Sequence, residues 1–539
     1  MTAPQAIPTP VAPEPDSQKE SPPFQSILFP TGVAPEDVDG QIEPEFFQNL
    51  NLDQIVEAVA AGREDYHLEP FFYASSQDIA TIRYRHEVFR DFENQTAADC
   101  VRSFASTMQT MRSQLVHADK LYYARQKQRW LLDAVHLYCG AVRQLAGDLA
   151  LADFRSNGFV EFRQYLDSYI GSKDFSAVET ETQRIGADLG AIRYSLHIEG
   201  KRVTVSNYSP EPDYGADVLE TFEKFRQGTT KEYRFSSRSN PDMNHVEAAI
   251  LDRVAGVYPE VFSSLEEYCG RYRTFLNPAV ARFDREVQFY LAWVEYTQRL
   301  RKAGLSFCLP VVSDRSKEAF ACDAFDLALA ERLSHENAEV VTNNFSLTGP
   351  ERIIVASGPN QGGKTTFARM FGQLHYLASI GCPVPAREAK LFLCDRLFTH
   401  FEKEEDVGNL TGKLEDELLR IHRILESATP NSILIMNESF LSTTMNDALV
   451  LSRRIVGRII ELDMLCISVT FLDELATLSE STVSMVSTVD PIDMVRRTFK
   501  VVRKPADDLA YAMAIAEKYR LTREAVKERV AGNTGGRTS

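Results

Sequence analysis

From Glu43 to about Gly304 the apolar positions recur every three to four residues, as in Phe104, Met108 and Met111 or in Leu131, Leu132 and Val135. That spacing places one apolar stripe along each of a series of helices. A long amphipathic run is Asp284 to Ala303, carrying Phe289, Leu291, Trp293, Val294 and Leu300. Pro259 and Pro278 mark helix starts or breaks. One stretch breaks the pattern. Residues 192–197 and 202–206 alternate in polarity around Glu199-Gly200-Lys201, which predicts a β-hairpin, followed by a looser segment to about Asn244. After Pro350 the period changes again. Short β-branched runs at Ile353–Ser357, Ser432–Met436, Leu465–Thr470, Thr482–Thr488 and Thr498–Val502 alternate with helical stretches, an α/β pattern. The change falls near residues 310–345. Residues 1–40 hold nine of the 24 prolines and little periodic apolar pattern, so a disordered Pro-rich leader is expected over 1–42.

Composition narrows the function. At 539 residues the chain is long enough for two to four domains. A formal charge of −17 excludes a protein coated for non-specific nucleic-acid binding, and any such contact has to be local. Two clusters run against the average. Lys224, Arg226, Lys231, Arg234 and Arg238 are interleaved with Phe225, Tyr233 and Phe235 just after the hairpin. Basic groups there can neutralise phosphates and aromatics can stack on bases, or the segment is an ordinary solvated loop. Arg112, Lys120, Arg125, Lys127 and Arg129 fit a helix face with local salt bridges equally well. Residues 496–539 carry 11 Lys/Arg against five Asp/Glu. The eight cysteines include no C-x-x-C pair and read as reduced cytosolic thiols. No run approaches 18 apolar residues and Met1-Thr2-Ala3-Pro4 opens no signal pattern, so a cytoplasmic protein, nucleoid-associated if bacterial, with no membrane partner is expected.

The chemistry concentrates after residue 357. Gly358-Pro359-Asn360-Gln361-Gly362-Gly363-Lys364-Thr365 fits G-x-x-x-x-G-K-[ST], with a strand before it and a helix, Thr366–Ser379, after it. Glycines let backbone N–H groups turn onto phosphate oxygens. Lys364 is placed to reach the β- and γ-phosphates of ATP, and Thr365 to ligate Mg²⁺. A second strand, Ser432–Met436, ends in Asn437-Glu438. A carboxylate there either activates the attacking water or faces solvent as an ordinary strand-end group.

These residues resemble the MutS family of DNA mismatch repair ATPases. The Gly-Pro-Asn lead-in and Thr366 match the family's Walker A segment. Ile380-Gly381-Cys382-Pro383-Val384-Pro385-Ala386, Cys394-Asp395-Arg396-Leu397-Phe398-Thr399, Asn437-Glu438-Ser439 and Phe471-Leu472-Asp473-Glu474-Leu475 follow in the family's order. Ile82–Phe89 resembles the start of the core (lever) domain, and Val340-Val341-Thr342-Asn343-Asn344 the asparagine-bearing adenine-pocket segment. The resemblance implies a multidomain α plus α/β chain: a helical core/lever domain over 43–310 with a reduced hairpin clamp near 190–245, a P-loop ABC-type ATPase domain over 311–505, and a C-terminal helical dimerisation appendage over 506–539. It implies a homodimer in which Asn409, Thr411 and Gly412 form a signature that completes the partner's nucleotide site. It implies DNA as partner, met by Lys224, Arg226, Lys231, Tyr233, Arg234 and Arg238, and repair proteins beside it.

The sequence departs from the family at three points. Asn437 stands where the Walker B aspartate is usual; an amide can bond a Mg²⁺-bound water but brings no charge, so slower hydrolysis is expected. Val469-Thr470-Phe471 replaces the histidine after the next strand, leaving Thr470 as the group that can bond a γ-phosphate. Only 357 residues precede Gly358, too few for the family's full complement, so a short member lacking the N-terminal mismatch-binding domain is expected. Phe159-Val160-Glu161 has the family's wedge composition but lies in the helical half, where core packing is expected. The implied work is ATP-dependent binding of mismatched or otherwise structured DNA in repair or recombination, with Lys364, Glu438 and Thr470 acting on ATP. The alternative is a nucleotide-gated scaffold that hydrolyses slowly or not at all and recruits protein partners.

Overall fold

A computed structural model describes residues 24–30, 40–209, 243–402, 412–440, 442–490, 496–505 and 521–527. The chain divides into two compact units: residues 1–25, 103–152 and 160–279 form one, and residues 26–102, 153–159 and 280–539 the other. In chain order the helices are α1 (Phe46–Leu50), α2 (Leu52–Ala60), α3 (Glu69–Tyr73), α4 (Ile79–Asp91), α5 (Gln95–Lys120), α6 (Ala124–Leu151), α7 (Asn157–Ile170), α8 (Lys173–Gly190), α9 (His245–Val257), α10 (Pro259–Arg271), α11 (Pro278–Lys302), α12 (Leu327–His335), α13 (Lys364–Ser379), α14 (Lys413–Ser427) and α15 (Met445–Glu461). The strands are β1 (Tyr194–Glu199), β2 (Arg202–Asn207), β3 (Val311–Ser313), β4 (Ala319–Ala324), β5 (Asn343–Leu347), β6 (Ile353–Ser357), β7 (Glu388–Phe392), β8 (Leu397–Phe401), β9 (Ile433–Asn437), β10 (Leu465–Val469), β11 (Thr482–Val489) and β12 (Arg497–Arg503). The mixed α plus α/β class follows: among the described residues before 303 the regular elements are helices apart from β1 and β2.

In the first unit α6, α8, α9 and α10 pack on one another. Helix starts are chemically marked. Ser172 caps α8 by accepting from Phe175 N–H, and Asn244 with Glu247 forms a capping box on α9. Pro259 takes the first position of α10, where its missing N–H costs nothing. The expected hairpin forms around Gly200, with Leu196 opposite Val205 and Ile198 opposite Val203. Val205 joins the small core of Val254, Ala255 and Phe262. The cluster at 111–130 resolves as the salt-bridged face: Arg129 pairs with Asp133, Arg125 with Asp252, and Lys127 donates to Asp119 O.

The second unit holds two sheets. The six-stranded sheet runs β12-β11-β6-β10-β9-β8, parallel except for the antiparallel β11–β12 edge. Its central strands Ile353–Ser357 and Leu465–Val469 are buried throughout, as a sheet covered on both faces requires. The four-stranded sheet, β3-β7-β4-β5, was not legible from the pattern. Helix α13 is buried almost entirely. Gly372 makes this possible, because a Cβ there would lie 2.5 Å from Ile435 Cδ1 and 2.8 Å from Leu50 Cδ1. Phe159 is buried against Phe92, Phe154 and Phe283, so it packs the core as expected and is no wedge.

The expected disordered leader fails at residues 24–30. Ile27 and Leu28 are fully buried and Ser26 nearly so. The segment's backbone is satisfied by side chains of the second unit: Tyr84 and Tyr290 hydroxyls donate to Ser26 O and Ile27 O, Arg85 Nε donates to Leu28 O, and Glu286 accepts from both Ser26 Oγ and Ile27 N–H. The short apolar run Ile27-Leu28-Phe29 has enough surface to be worth burying. Among the described residues, no helix is long and apolar enough to cross a membrane.

Candidate nucleotide site

The strand order places the site. Strand β6 sits between β10 and β11, where the sheet's connections diverge, and the crevice at the carboxyl ends of such strands is where α/β sheets take ligands. Residues 358–363 leave β6 and enter α13, whose N-cap is Gly363 at φ +92°. Gly358, at φ +108°, lies so close to β11 that a Cβ would meet Ser487 O at 2.8 Å. A Cβ on Gly362 would fall 2.1 Å from Ser487 Oγ, which donates to Gly362 O at 2.6 Å. The glycines are therefore required both for the turn and for the loop's approach to β11.

Gln361, Gly362, Gly363, Lys364, Thr365 and Thr366 line one wall of a cleft of about 490 Å³, the size range of a small-molecule site. Glu438 and Asn343 face the same cleft. Lys364 Nζ donates to Gly358 O and Pro359 O at 2.9 and 3.1 Å, and lies 4.7 Å from the centre of the Phe471 ring. Burial holds this ammonium below its usual range, while Glu438 works in the other direction. Thr365 Oγ1 donates to Asn437 Oδ1 at 2.8 Å, so the first turn of α13 and the end of β9 share a hydrogen bond. Glu438 follows at φ +53°, held by its own N–H to Val469 O at 2.9 Å. A glycine cradle, a lysine, a hydroxyl paired to a strand-end amide and a carboxylate thus converge on one space. The residues fit a nucleoside triphosphate with Mg²⁺: Thr365 and Asn437 would offer neutral oxygens to the ion, and Glu438 places a carboxylate in the same cleft.

Other expected residues fall differently. Asn360 contributes its carbonyl, which accepts from Arg497 Nε at 3.2 Å. Asn343 is fixed by two bonds to β12, donating to Phe499 O and accepting from Val501 N–H. Asn344 points to the other side of β5, accepting from Asp323 N–H at 2.6 Å, and does not line the cleft. Thr470 is nearly buried and its Oγ1 accepts from Leu472 N–H at 3.1 Å; it too stands outside the lining. Gly412 caps α14 and has open space around its Cα. Asn409 and Thr411 lie outside the described residues, as do Lys224, Arg226, Lys231, Tyr233, Arg234 and Arg238.

The pattern did not single out the cleft's apolar end. Leu329, Leu333, Val341 and Phe499 form it, with Arg332 and Glu339 beside them. Phe499 is half exposed on the edge strand β12 at φ +57°, an aromatic presented to solvent next to the glycine-rich loop at Gly363. In the sequence Phe499 stands among Arg497, Lys500 and Arg503, and Val341 belongs to the segment that resembles the family's adenine pocket.

Residues 353–531 match the family model described as MutS domain V. Over 129 residues, 24% of this chain, the sequence is 32% identical to the DNA mismatch repair protein MSH3 of Kluyveromyces lactis, covering 12% of that protein. Over 136 residues, 25% of this chain, it is 32% identical to the DNA mismatch repair protein MutS of Psychrobacter cryohalolentis, covering 13% of it.

Proposed function

The chain belongs to the MutS family through residues 353–531, and from that premise we propose that it is an ATP-dependent DNA-binding switch. The observation that carries the reading is the convergence of Lys364, Thr365 and Glu438 on one cleft at the carboxyl end of a mostly parallel sheet, with Asn437 bonded to Thr365 behind them. In this reading the backbone N–H groups of residues 361–365 and Lys364 hold the triphosphate. Lys364 exchanges its two loop carbonyls for phosphate oxygens, a stronger charge-assisted pairing. Thr365, and Asn437 through a water, would hold Mg²⁺, which would supply positive charge against the phosphate oxygens. Glu438 orients the attacking water and takes its proton. The base stacks on Phe499 against Leu329, Leu333 and Val341.

Hydrolysis at such a site needs the γ-phosphate's remaining charge to be met. The exposed start of α14 at Gly412 supports a partner copy doing so with helix N–H groups, hence a homodimer. Closing and opening of the dimer then changes its affinity for DNA, and the coupling is the difference in affinity between the two states. DNA as the partner is supported by the relatives' names as mismatch repair proteins. With a formal charge of −17, contact is confined to local basic patches such as Lys224 to Arg238.

The test is ATPase activity with and without plain, mismatched and branched duplex DNA, beside salt-dependent binding. Stimulation by DNA, with affinity falling steeply as salt rises, is the expected outcome. Unstimulated turnover together with no salt-sensitive binding would sink the DNA half of the reading. ATP binding with no turnover would sink the enzymatic half.

A further inference from the structure

Two side chains from outside the phosphate loop grip the turn that carries Glu438. The turn is conformationally unusual: Glu438 and Phe440 both sit in the left-handed region, at φ +53° and +65°. Non-glycine residues stay there only where surrounding contacts hold them. One hold is Glu417, on α14. Its Oε2 accepts from Phe440 N–H at 2.9 Å, with Glu417 only 4% exposed and Phe440 fully buried. The other is His400, at the buried end of β8, whose Nδ1 bonds Ser439 Oγ at 2.9 Å. Neither residue lines the nucleotide cleft. A buried carboxylate is costly unless its oxygens are used, and the backbone amide of this turn is the use Glu417 has found.

We propose that Glu417 is a positioning residue for Glu438: its carboxylate fixes the Glu438–Phe440 turn and couples that turn to α14, the helix that begins at Gly412. A displacement of the α14 start is thereby transmitted to the water-activating carboxylate through a single buried hydrogen bond. The inference rests on the reading of Glu438 as the base, and it adds a mechanical input to that base from a helix that does not line this chain's own nucleotide cleft. Glutamate has the reach for the amide of Phe440. Aspartate, one methylene shorter, has the charge without the reach. Glutamine has the reach and an acceptor oxygen without the charge.

The full chain is compared with Glu417→Ala, Glu417→Asp and Glu417→Gln, measuring affinity for a fluorescent ATP analogue, kcat and KM for ATP, and amide hydrogen exchange over residues 434–442. A misplaced catalytic group of this kind lowers kcat by about 10- to 100-fold. Glu417→Ala and Glu417→Asp should show that loss with analogue affinity within about twofold of the parent, a kcat effect without a binding effect. Glu417→Gln should retain most of the turnover. Exchange at the Phe440 amide should quicken in the Ala and Asp chains and stay slow in the Gln chain. Full turnover in Glu417→Asp, or a Glu417→Gln chain as slow as the Asp one, overturns the proposal. If the parent chain binds ATP without hydrolysing it, the base assignment fails by itself. Exchange then decides the positioning claim, and unchanged protection of Phe440 in Glu417→Asp overturns it.

Discussion

Thr365 Oγ1 donates to Asn437 Oδ1 across 2.8 Å, closing the first turn of α13 onto the end of β9. The acceptor is an amide oxygen, so the pair holds its geometry without negative charge. Affinity for a hard divalent cation rises with the number of charged oxygens offered to it. Asn437→Asp keeps an acceptor in the same place and adds a charge, so the Mg²⁺ concentration giving half-maximal ATP turnover should fall, by roughly 3- to 10-fold. Magnesium titrations of the two chains check this. An unchanged midpoint means the metal is held without help from residue 437.

Lys364 is an ammonium with little solvent, resting on two carbonyls and the Phe471 ring. Its burial lowers its affinity for the proton, so the folded chain carries this charge at a cost that a triphosphate would relieve. Lys364→Met keeps the bulk and removes the charge. Affinity for ATP should fall by about 100-fold or more, the scale of losing charge-assisted bonds to phosphate. The melting temperature without nucleotide should hold or rise. A nucleotide-free chain that becomes markedly less stable would show that the lysine is structural.

The site was legible where its chemistry forced particular residues. Gly358 and Gly362 could be read because nothing larger fits against Ser487, and Ile353–Ser357 and Leu465–Val469 because fully buried parallel strands leave unbroken apolar runs. The four-stranded sheet was not, since Ala319–Ala324 reads Ala-Phe-Ala-Cys-Asp-Ala, without a β-branched residue or clean alternation. Its strand character comes from pairing with Asn343–Leu347 and Glu388–Phe392. Asn343 and Asn344 were indistinguishable in sequence; the pleat of β5 separates them, one toward Val501 and the cleft, the other toward Asp323. Residues 24–30 escaped because their partners, Tyr84, Arg85, Glu286 and Tyr290, lie on helices distant in sequence.

Phe499 projects from β12 at the apolar end of the cleft, beside Leu329, Leu333 and Val341. Stacking of a base on an aromatic ring contributes about 1–3 kcal/mol. Phe499→Ala should therefore weaken ATP binding by roughly 5- to 150-fold, and Phe499→Trp should restore it. Inorganic tripolyphosphate offers no base, so its affinity should be the same in all three chains. Competition of ATP and tripolyphosphate against a fluorescent nucleotide separates the two contributions. Equal losses for both ligands would place the effect in the glycine-rich loop, where Gly363 lies against Phe499.

Glu286 gives a pH signature to the docking of residues 26–29. Burial pushes its carboxyl up from 4.5 to about 7, against the hydrogen bonds from Ile27 N–H and Ser26 Oγ and the nearby Arg282 and Arg85 charges. The folded chain then binds this proton more tightly than the unfolded chain does. Stability from this group is full below about pH 4.5 and falls as pH rises towards 7; above 7 the loss is complete. Its ceiling is on the order of 3 kcal/mol. Glu286→Gln can accept from Ser26 and Ile27 through its amide oxygen and cannot ionise. The variant should match the parent's melting temperature near pH 5 and exceed it at pH 8. A gap of the same size at both values would mean that Glu286 does not titrate in this range and that the amide itself changes the packing around Ile27.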